Sequence, residues 1–338
     1  MNKAYKLLIL ASCVLALVVV SLGAYTRLSN AGLGCPDWPG CYGFLTVPNE
    51  SHELSVVEQN FPDAQVEPAK AWIEMIHRYF ASFLGLLIVI LCVIASKHRF
   101  HKQSDTHSLP FKHSVALLAL VLFQGMLGMW TVTMNLQPFI VMGHLLGGFT
   151  ILSLLVLLYL RIRVRANPAN FAEHNGSFFM ATFALGVLVI QIALGGWVAA
   201  NYAAPHCSGL PICSNIELFS IESVFHLPIG QSNYEFGVLP FETRLSIHFL
   251  HRIWALVTAF AIFWVSWKLY KKEQSDKIRG AIKLVCLVLI TQLLLGALIV
   301  HFQFPLLLTL FHNIMAAMLL LTMVRLCFLL TNRQGVAI

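Results

Sequence analysis

Apolar positions along this chain run on for about twenty residues at a time, broken by polar loops. A helix of that length spans the hydrocarbon of a bilayer. Eight such runs occur, over residues 7–27, 72–95, 114–134, 139–160, 178–200, 245–267, 281–301 and 306–328. The fourth and eighth open just after Pro138 and Pro305, where proline fits a helix start. The pattern predicts an all-α integral membrane protein with eight transmembrane helices. Two long loops, about 28–71 and 201–244, separate the first span from the second and the fifth from the sixth. Both leave room for short surface helices.

Composition agrees with this reading. The 338 residues are 58% hydrophobic and 11% charged, with a mean hydropathy of +0.76. Roughly a quarter of a soluble domain is charged, so one aqueous core is excluded. Lys3 and Lys6 precede the first run, but the run is too long for a signal-peptide core and lacks a small-residue cleavage site. It is read as a retained helix.

Charge sets the orientation. Lys97, Arg99, Lys102 and Lys112 lie in loop 96–113; Arg161, Arg163 and Arg165 follow the fourth span; Lys268, Lys271, Lys272, Lys277, Arg279 and Lys283 follow the sixth. The two long loops carry only Lys70 and Arg244, against Asp37, Glu50, Glu53, Glu58, Asp63, Glu67, Glu217, Glu222, Glu235 and Glu242. Both termini are expected in the cytoplasm and the long loops outside, in a bacterial inner membrane. This asymmetry accounts for the net charge of +7 without a nucleic-acid partner.

The chain also repeats. Cys207 and Cys213 follow Cys35 and Cys41 by 172 positions, His251 follows His77 by 174, and Gln292 and His312 follow Gln124 and His144 by 168. Each copy holds four spans, an even number, so the second enters the membrane in the same sense as the first. The expected architecture is two tandem four-helix bundles, residues 1–165 and 166–338, related by a pseudo-two-fold axis along the membrane normal.

Ionisable side chains inside apolar helices are costly and mark function. His77 lies about six residues into the second span and His144 about five into the fourth, roughly 8–9 Å below the outer boundary at 1.5 Å per residue. His251 and His312 fall at matching depths. Two imidazoles at one level on two helices suit the axial positions of a haem iron. The bland alternative is that each histidine is hydrogen-bonded across a helix pair. Structural zinc wants four ligands, and each bundle offers two. His248 lies one turn before His251 and competes with it as a ligand, though the repeat favours His251. His301 reads as interfacial, and His98, His101, His107 and His113 as solvated in the cytoplasmic loop.

Glu74, three residues before His77, shares its helix face, and the matching position before His251 is His248. A carboxylate there would stabilise charge or move a proton at a porphyrin edge; the alternative is a side chain reaching outer water. Arg78 and Arg252 would pair with haem propionates or snorkel to the interface. The loop cysteines predict disulfides Cys35–Cys41 and Cys207–Cys213 in an oxidising exterior, the first in a stiff, exposed loop compatible with redox activity. Cys13, Cys92, Cys286 and Cys327 read as apolar fillers.

The stretch from Gly23 through Arg27 to Cys41 (GAYTRLSNAGLGCPDWPGC), with Glu74-Met-Ile-His77-Arg78 and Gly143-His144, closely resembles the haem A synthase family. The resemblance covers all eight spans. It implies a membrane oxidoreductase that converts haem O to haem A, oxidising a porphyrin methyl group to formyl by successive hydroxylation and loss of water. It implies that His77 and His144 ligate the substrate haem, that His251 and His312 ligate a haem b cofactor, and that Glu74 supports the oxidation. It further implies a redox-linked Cys35–Cys41 pair and a second disulfide, Cys207–Cys213, found in part of the family. The implied partners are haem O and haem A, membrane lipid, the enzyme supplying haem O, an electron acceptor and cytochrome oxidase assembly; a homo-oligomer is compatible. The competing readings are a dihaem b-type electron-transfer cytochrome and a haem carrier without haem-modifying activity.

Overall fold

The computed structural model describes residues 3–62, 64–101, 109–166, 178–273 and 275–331. Among these, nine α-helices follow in order: α1 (Lys3–Leu28), α2 (Ser51–Asn60), α3 (Pro68–His101), α4 (Phe111–Thr133), α5 (Pro138–Ala166), α6 (Phe178–Ala200), α7 (Phe241–Lys272), α8 (Asp276–His301) and α9 (Leu306–Leu330). All but α2 are long and apolar enough to cross a membrane. Every backbone polar group in hydrocarbon must be satisfied within its own segment, which is why these runs are helical. Helix α2 lies in the first long loop and starts with a capping box, the Glu53 carboxylate accepting from the Asn49 and Glu50 amides at 2.8 and 3.1 Å. The second long loop carries three single turns of 3₁₀-helix, the last at Ser223–Phe225.

In the first half α1 packs on α3 and α5, α3 on α4, and α4 on α5, closing a ring of four. The second half repeats the ring: α6 packs on α7 and α9, α7 on α8, and α8 on α9. Between the rings, α5 meets α6 and α9, and α1 meets α9.

The helix ends repeat too. Helix α1 closes with the Ala31 amide on the Thr26 carbonyl, and α6 with Ala203 on Val198, both at 2.9 Å. These six-to-one bonds place Asn30 and Tyr202 at positive φ, the usual left-handed end of a helix. The α4–α5 turn bonds Leu136 to Thr131 and the α8–α9 turn Phe304 to Ile299, both at 2.8 Å. Leu136, held at φ +60°, is buried over Gly32, whose added Cβ would come within 3.1 Å of it.

One continuous apolar core joins the two rings, and it fills the half of each span remote from the long loops. It takes Ile9 from α1, Ile88 from α3, Leu117 from α4, Leu155 and Leu158 from α5, Leu188 from α6, Ile262 from α7, Val285 from α8 and Met323 from α9. Large apolar side chains such as Phe83, Phe179, Phe260 and Leu287 point outward, as lipid-facing positions should. The four repeated histidines lie in the other half, near the loops.

Two expectations about histidines change. His113 is not solvated: α4 begins at Phe111, so His113 sits in its first turn and turns toward α5. Its ring lies 3.0 Å from the Leu154 carbonyl and 3.1 Å from the Arg161 guanidinium, and the residue is buried. His98 is half-buried on α3, which continues well past the end of its apolar run. His107, Lys102 and Asp63, and the side chains of His101 and Arg165, lie outside the described residues.

Arg27 fastens the two halves. From the last turn of α1 its guanidinium donates to the carbonyl of Ala199 at 2.6 Å and stacks 3.7 Å over the Tyr202 ring. A cation at a helix C-terminus satisfies carbonyls that have no intrahelical partner. The Arg27→Ala variant is expected to lose about 2 kcal/mol, the scale of a hydrogen bond to a charged group. Thermal unfolding in detergent should show a midpoint several degrees lower, and an unchanged midpoint would contradict this role.

Candidate functional site

Each repeated histidine faces a glycine on the neighbouring helix. A Cβ at Gly23 would lie 3.0 Å from His77 Nε2, and one at Gly195 3.1 Å from His251 Cε1. Cβ atoms at Gly128 and Gly296 would each lie 3.3 Å from Cε1, of His144 and His312 respectively. Contacts this short are crowded, so glycine is what lets an imidazole lie flat between two helices at these points. Gly23 and Gly195 are 172 positions apart, and Gly128 and Gly296 are 168 apart, so the cradle is duplicated with the ring it holds.

Glutamines supply polar contacts. The Gln124 amide nitrogen is 3.0 Å from His144 Nδ1 and also donates to the His144 carbonyl. The Gln292 amide nitrogen is 3.2 Å from His312 Nε2. Gln191 on α6 does the same for His251, at 3.1 Å from Nδ1 and 3.2 Å from its carbonyl. His248 faces elsewhere: its ring lies 3.4 Å from Arg252 Nε and 5.8 Å from the Phe304 ring, centre to centre. Of the two candidates on α7, His251 is the one in the duplicated cradle. His301 is exposed and rests on Phe302.

The rings of His77 and His144 stand nearly perpendicular, at 88°, with centres 6.3 Å apart. All four imidazoles belong to half-buried residues, neither sealed in the core nor fully exposed. Paired imidazoles are the donor set of a bis-histidine haem. A metal-to-imidazole bond is about 2 Å long, which puts the two ring centres of such a pair about 6 Å apart. The first pair has the spacing that a haem iron needs, and the second bundle offers the equivalent two histidines in the same glycine cradles. Among the described residues no group of three or more metal-binding side chains occurs, which disfavours a structural zinc site.

The sequence neighbours of the histidines are engaged differently from expectation. Glu74 is buried, so it does not reach outer water. Its carboxylate accepts from the Cys35 amide at 3.0 Å and from Arg78 Nη2 at 2.5 Å. Arg78 in turn donates to the carbonyls of Pro39 and Gly40. The ion pair thus grips both ends of the Cys35–Cys41 loop. In the second half Arg252 donates to the carbonyls of Gly209, at 2.8 Å, and Cys207. Both arginines clamp the outer loops, where the sequence suggested propionate pairing or snorkelling.

Cys35 and Cys41 lie at disulfide distance, as do Cys207 and Cys213, and all four are buried. The first pair is therefore not the exposed one expected from its proline-rich loop. It sits beneath Tyr42, Val47 and Val57 against Ala71 and Met75 of α3. The Tyr42 hydroxyl donates to the Gln65 carbonyl at 3.0 Å, and burial with the nearby Glu67 carboxylate pushes its pKa up. In the second loop, burial and then the Arg244 charge push the His206 imidazole down. Cys13, Cys92, Cys286 and Cys327 are unpaired and buried or half-buried, as fillers should be.

Sequence reasoning missed Gln191 and Arg27 as structural partners. Gln191 has no glutamine at the matching position, so a search for repeats passes over it. Arg27 acts on the other half of the chain, and no local pattern shows that.

Fold and site together define an eight-span membrane protein with a duplicated paired-histidine site. The chain matches the COX15-CtaA family of cytochrome oxidase assembly proteins over residues 6–324. It is 44% identical over 325 residues to a protein of Shewanella oneidensis named heme A synthase, covering 95% of each chain. It is 28% identical to a Flavobacterium johnsoniae protein of the same name, over 95% of this chain and 96% of that one. A third protein of that name, from Alkalihalophilus pseudofirmus, is 23% identical over 94% of this chain and 95% of its own. The chain belongs to this family, and it is an enzyme.

Breaking a buried ion pair by removing one partner costs about 3–5 kcal/mol. Arg78→Ala is therefore expected to free the 35–41 loop, raising hydrogen exchange at the Cys35 and Tyr42 amides at least tenfold. Exchange equal to that of the parent would contradict the clamp.

Proposed function

We propose that this membrane enzyme acts in haem A biosynthesis, converting haem O to haem A by oxidising one porphyrin methyl group to a formyl group. The observation that carries the proposal is the histidine cradle built twice, with a carboxylate three residues before the first histidine in only one copy. Substrate haem would be held by His77 and His144 in the bundle of residues 1–165. Haem b would be held by His251 and His312 in the bundle of residues 166–338, where it supplies one-electron transfer when bound. The symmetric contacts of α1 with α9 and of α5 with α6 support a pseudo-two-fold axis along the membrane normal.

The residues divide the work. Gly23 and Gly128 admit the imidazoles, and Gln124 orients His144. In the bilayer, a charge developing at the substrate edge would meet fixed protein groups rather than bulk water. Glu74 is the acidic group closest in sequence to that pair, and its bond to the Cys35 amide ties it to the loop over the site. Reduction or displacement of that loop would change the partners of the carboxylate, which gives Glu74 and Cys35–Cys41 a shared purpose. The basic inner loops support cytoplasmic termini in a bacterial inner membrane, with both haems near the outer face. Haem O arriving from its synthase and an electron acceptor would be the remaining partners.

Extraction and chromatography of the haems bound to purified protein test this directly. Supplied in aerated buffer with haem O and an electron acceptor for the four-electron oxidation of methyl to formyl, the protein is expected to yield a formyl haem, and Glu74→Ala to keep its haem while forming product about a hundredfold more slowly. Unaltered haem b at both sites, with no conversion, would favour an electron-transfer cytochrome or a carrier and overturn the proposal. His251→Ala and His312→Ala should each deplete the resident low-spin haem; survival of its spectrum in both would overturn the ligand assignment.

A further inference from the structure

The repeat contains its own control. His144, His251 and His312 each have a glutamine amide against the ring, from Gln124, Gln191 and Gln292. Among the described residues no side chain or carbonyl hydrogen-bonds the ring of His77. The register shows why. Gly23 and Gly195 hold the two equivalent rings, His77 and His251. One helical turn before Gly195 stands Gln191, and one turn before Gly23 stands Val19. Val19 is a half-buried apolar residue packed against the core.

The three glutamines share a second feature. The side-chain oxygens of Gln124, Gln191 and Gln292 are all buried and without a partner. A neutral imidazole bound to iron through one nitrogen carries its proton on the other, and that N–H needs an acceptor. A glutamine amide turned over presents its oxygen where its nitrogen stood, at the cost, for Gln124 and Gln191, of the bond that nitrogen makes to the carbonyl of His144 or His251. Three rings therefore have an unused acceptor beside them, and the fourth has an isopropyl group at the equivalent place. An acceptor on the far nitrogen fixes the ring and makes it a stronger ligand, and losing such a partner typically weakens metal binding 10- to 100-fold.

We infer that the Gln191/Val19 difference makes one haem site retaining and the other exchanging. Gln191 is a positioning residue that locks His251 onto the resident haem, and Val19 leaves His77 the weakest of the four axial ligands. A resident cofactor needs two firm ligands; a substrate that leaves after each turnover needs one that lets go. The inference rests on the four histidines binding haem as proposed.

The test uses full-length protein carrying haem at both sites, with apomyoglobin as acceptor for released haem. Gln191→Val should speed loss of the C-terminal haem about tenfold or more and shift its midpoint potential, with the N-terminal haem unaffected. Val19→Gln should slow release of the N-terminal haem by a similar factor and lower kcat more than it changes KM. Where Gln191→Val does not accumulate, Gln191→Glu keeps an acceptor oxygen and should retain the haem with a lowered midpoint potential. Release rates within twofold of the parent, with unshifted potentials, in Gln191→Val and Val19→Gln would overturn the inference. Full haem content in both His77→Ala and His251→Ala would instead overturn the ligand assignment beneath it.

Discussion

An imidazole inside a membrane has no water to satisfy it, and the outer half of this protein is organised around that constraint. Four rings sit between helices where a glycine on the facing helix makes room. Three of them receive a glutamine from the same neighbouring helix. Apolar packing does not hold this region together, because the continuous core lies in the opposite half of the spans. The apolar core thus lies toward the basic loops and the repeated histidines toward the acidic ones.

The outer loops are extensions of the same site. Each follows the first helix of its repeat, closes on a cysteine pair and is gripped by the arginine that follows a site histidine. In the first half that arginine also holds Glu74, so ligand, carboxylate and loop form one connected unit. In the second half His248 takes the place of Glu74, and Arg252 contacts its ring while clamping the loop, with no carboxylate. The two copies share the cradle and differ at a few places, Glu74 against His248 and Val19 against Gln191, and on the proposed function those differences would separate a reacting site from a holding one.

Much of this was legible in the sequence. Eight apolar runs became eight spans because length and hydropathy alone decide that question in a bilayer. The boundaries of α3 and α7 lie several residues farther out than their runs, since Pro68 and Phe241 continue the helices beyond the apolar stretch. The histidine pairs were visible because the His144–His312 offset equals that of the glutamines and the His77–His251 offset lies within two of that of the cysteines. What escaped were contacts between distant segments: Glu74 with the Cys35 amide, Arg27 with Ala199, and His113 with Leu154. Hydrophobic periodicity carries no information about such pairings, and burial of the Cys35–Cys41 pair depends on how the whole loop folds over α3.

The central claim is one duplicated scaffold with one haem per bundle, each between two histidines near the outer face. A density map of the haem-loaded protein, at a resolution that locates iron, tests it most directly. The account predicts two irons, one between His77 and His144 and one between His251 and His312. A single iron, or irons ligated by His248, His113 or the loop cysteines, would contradict it.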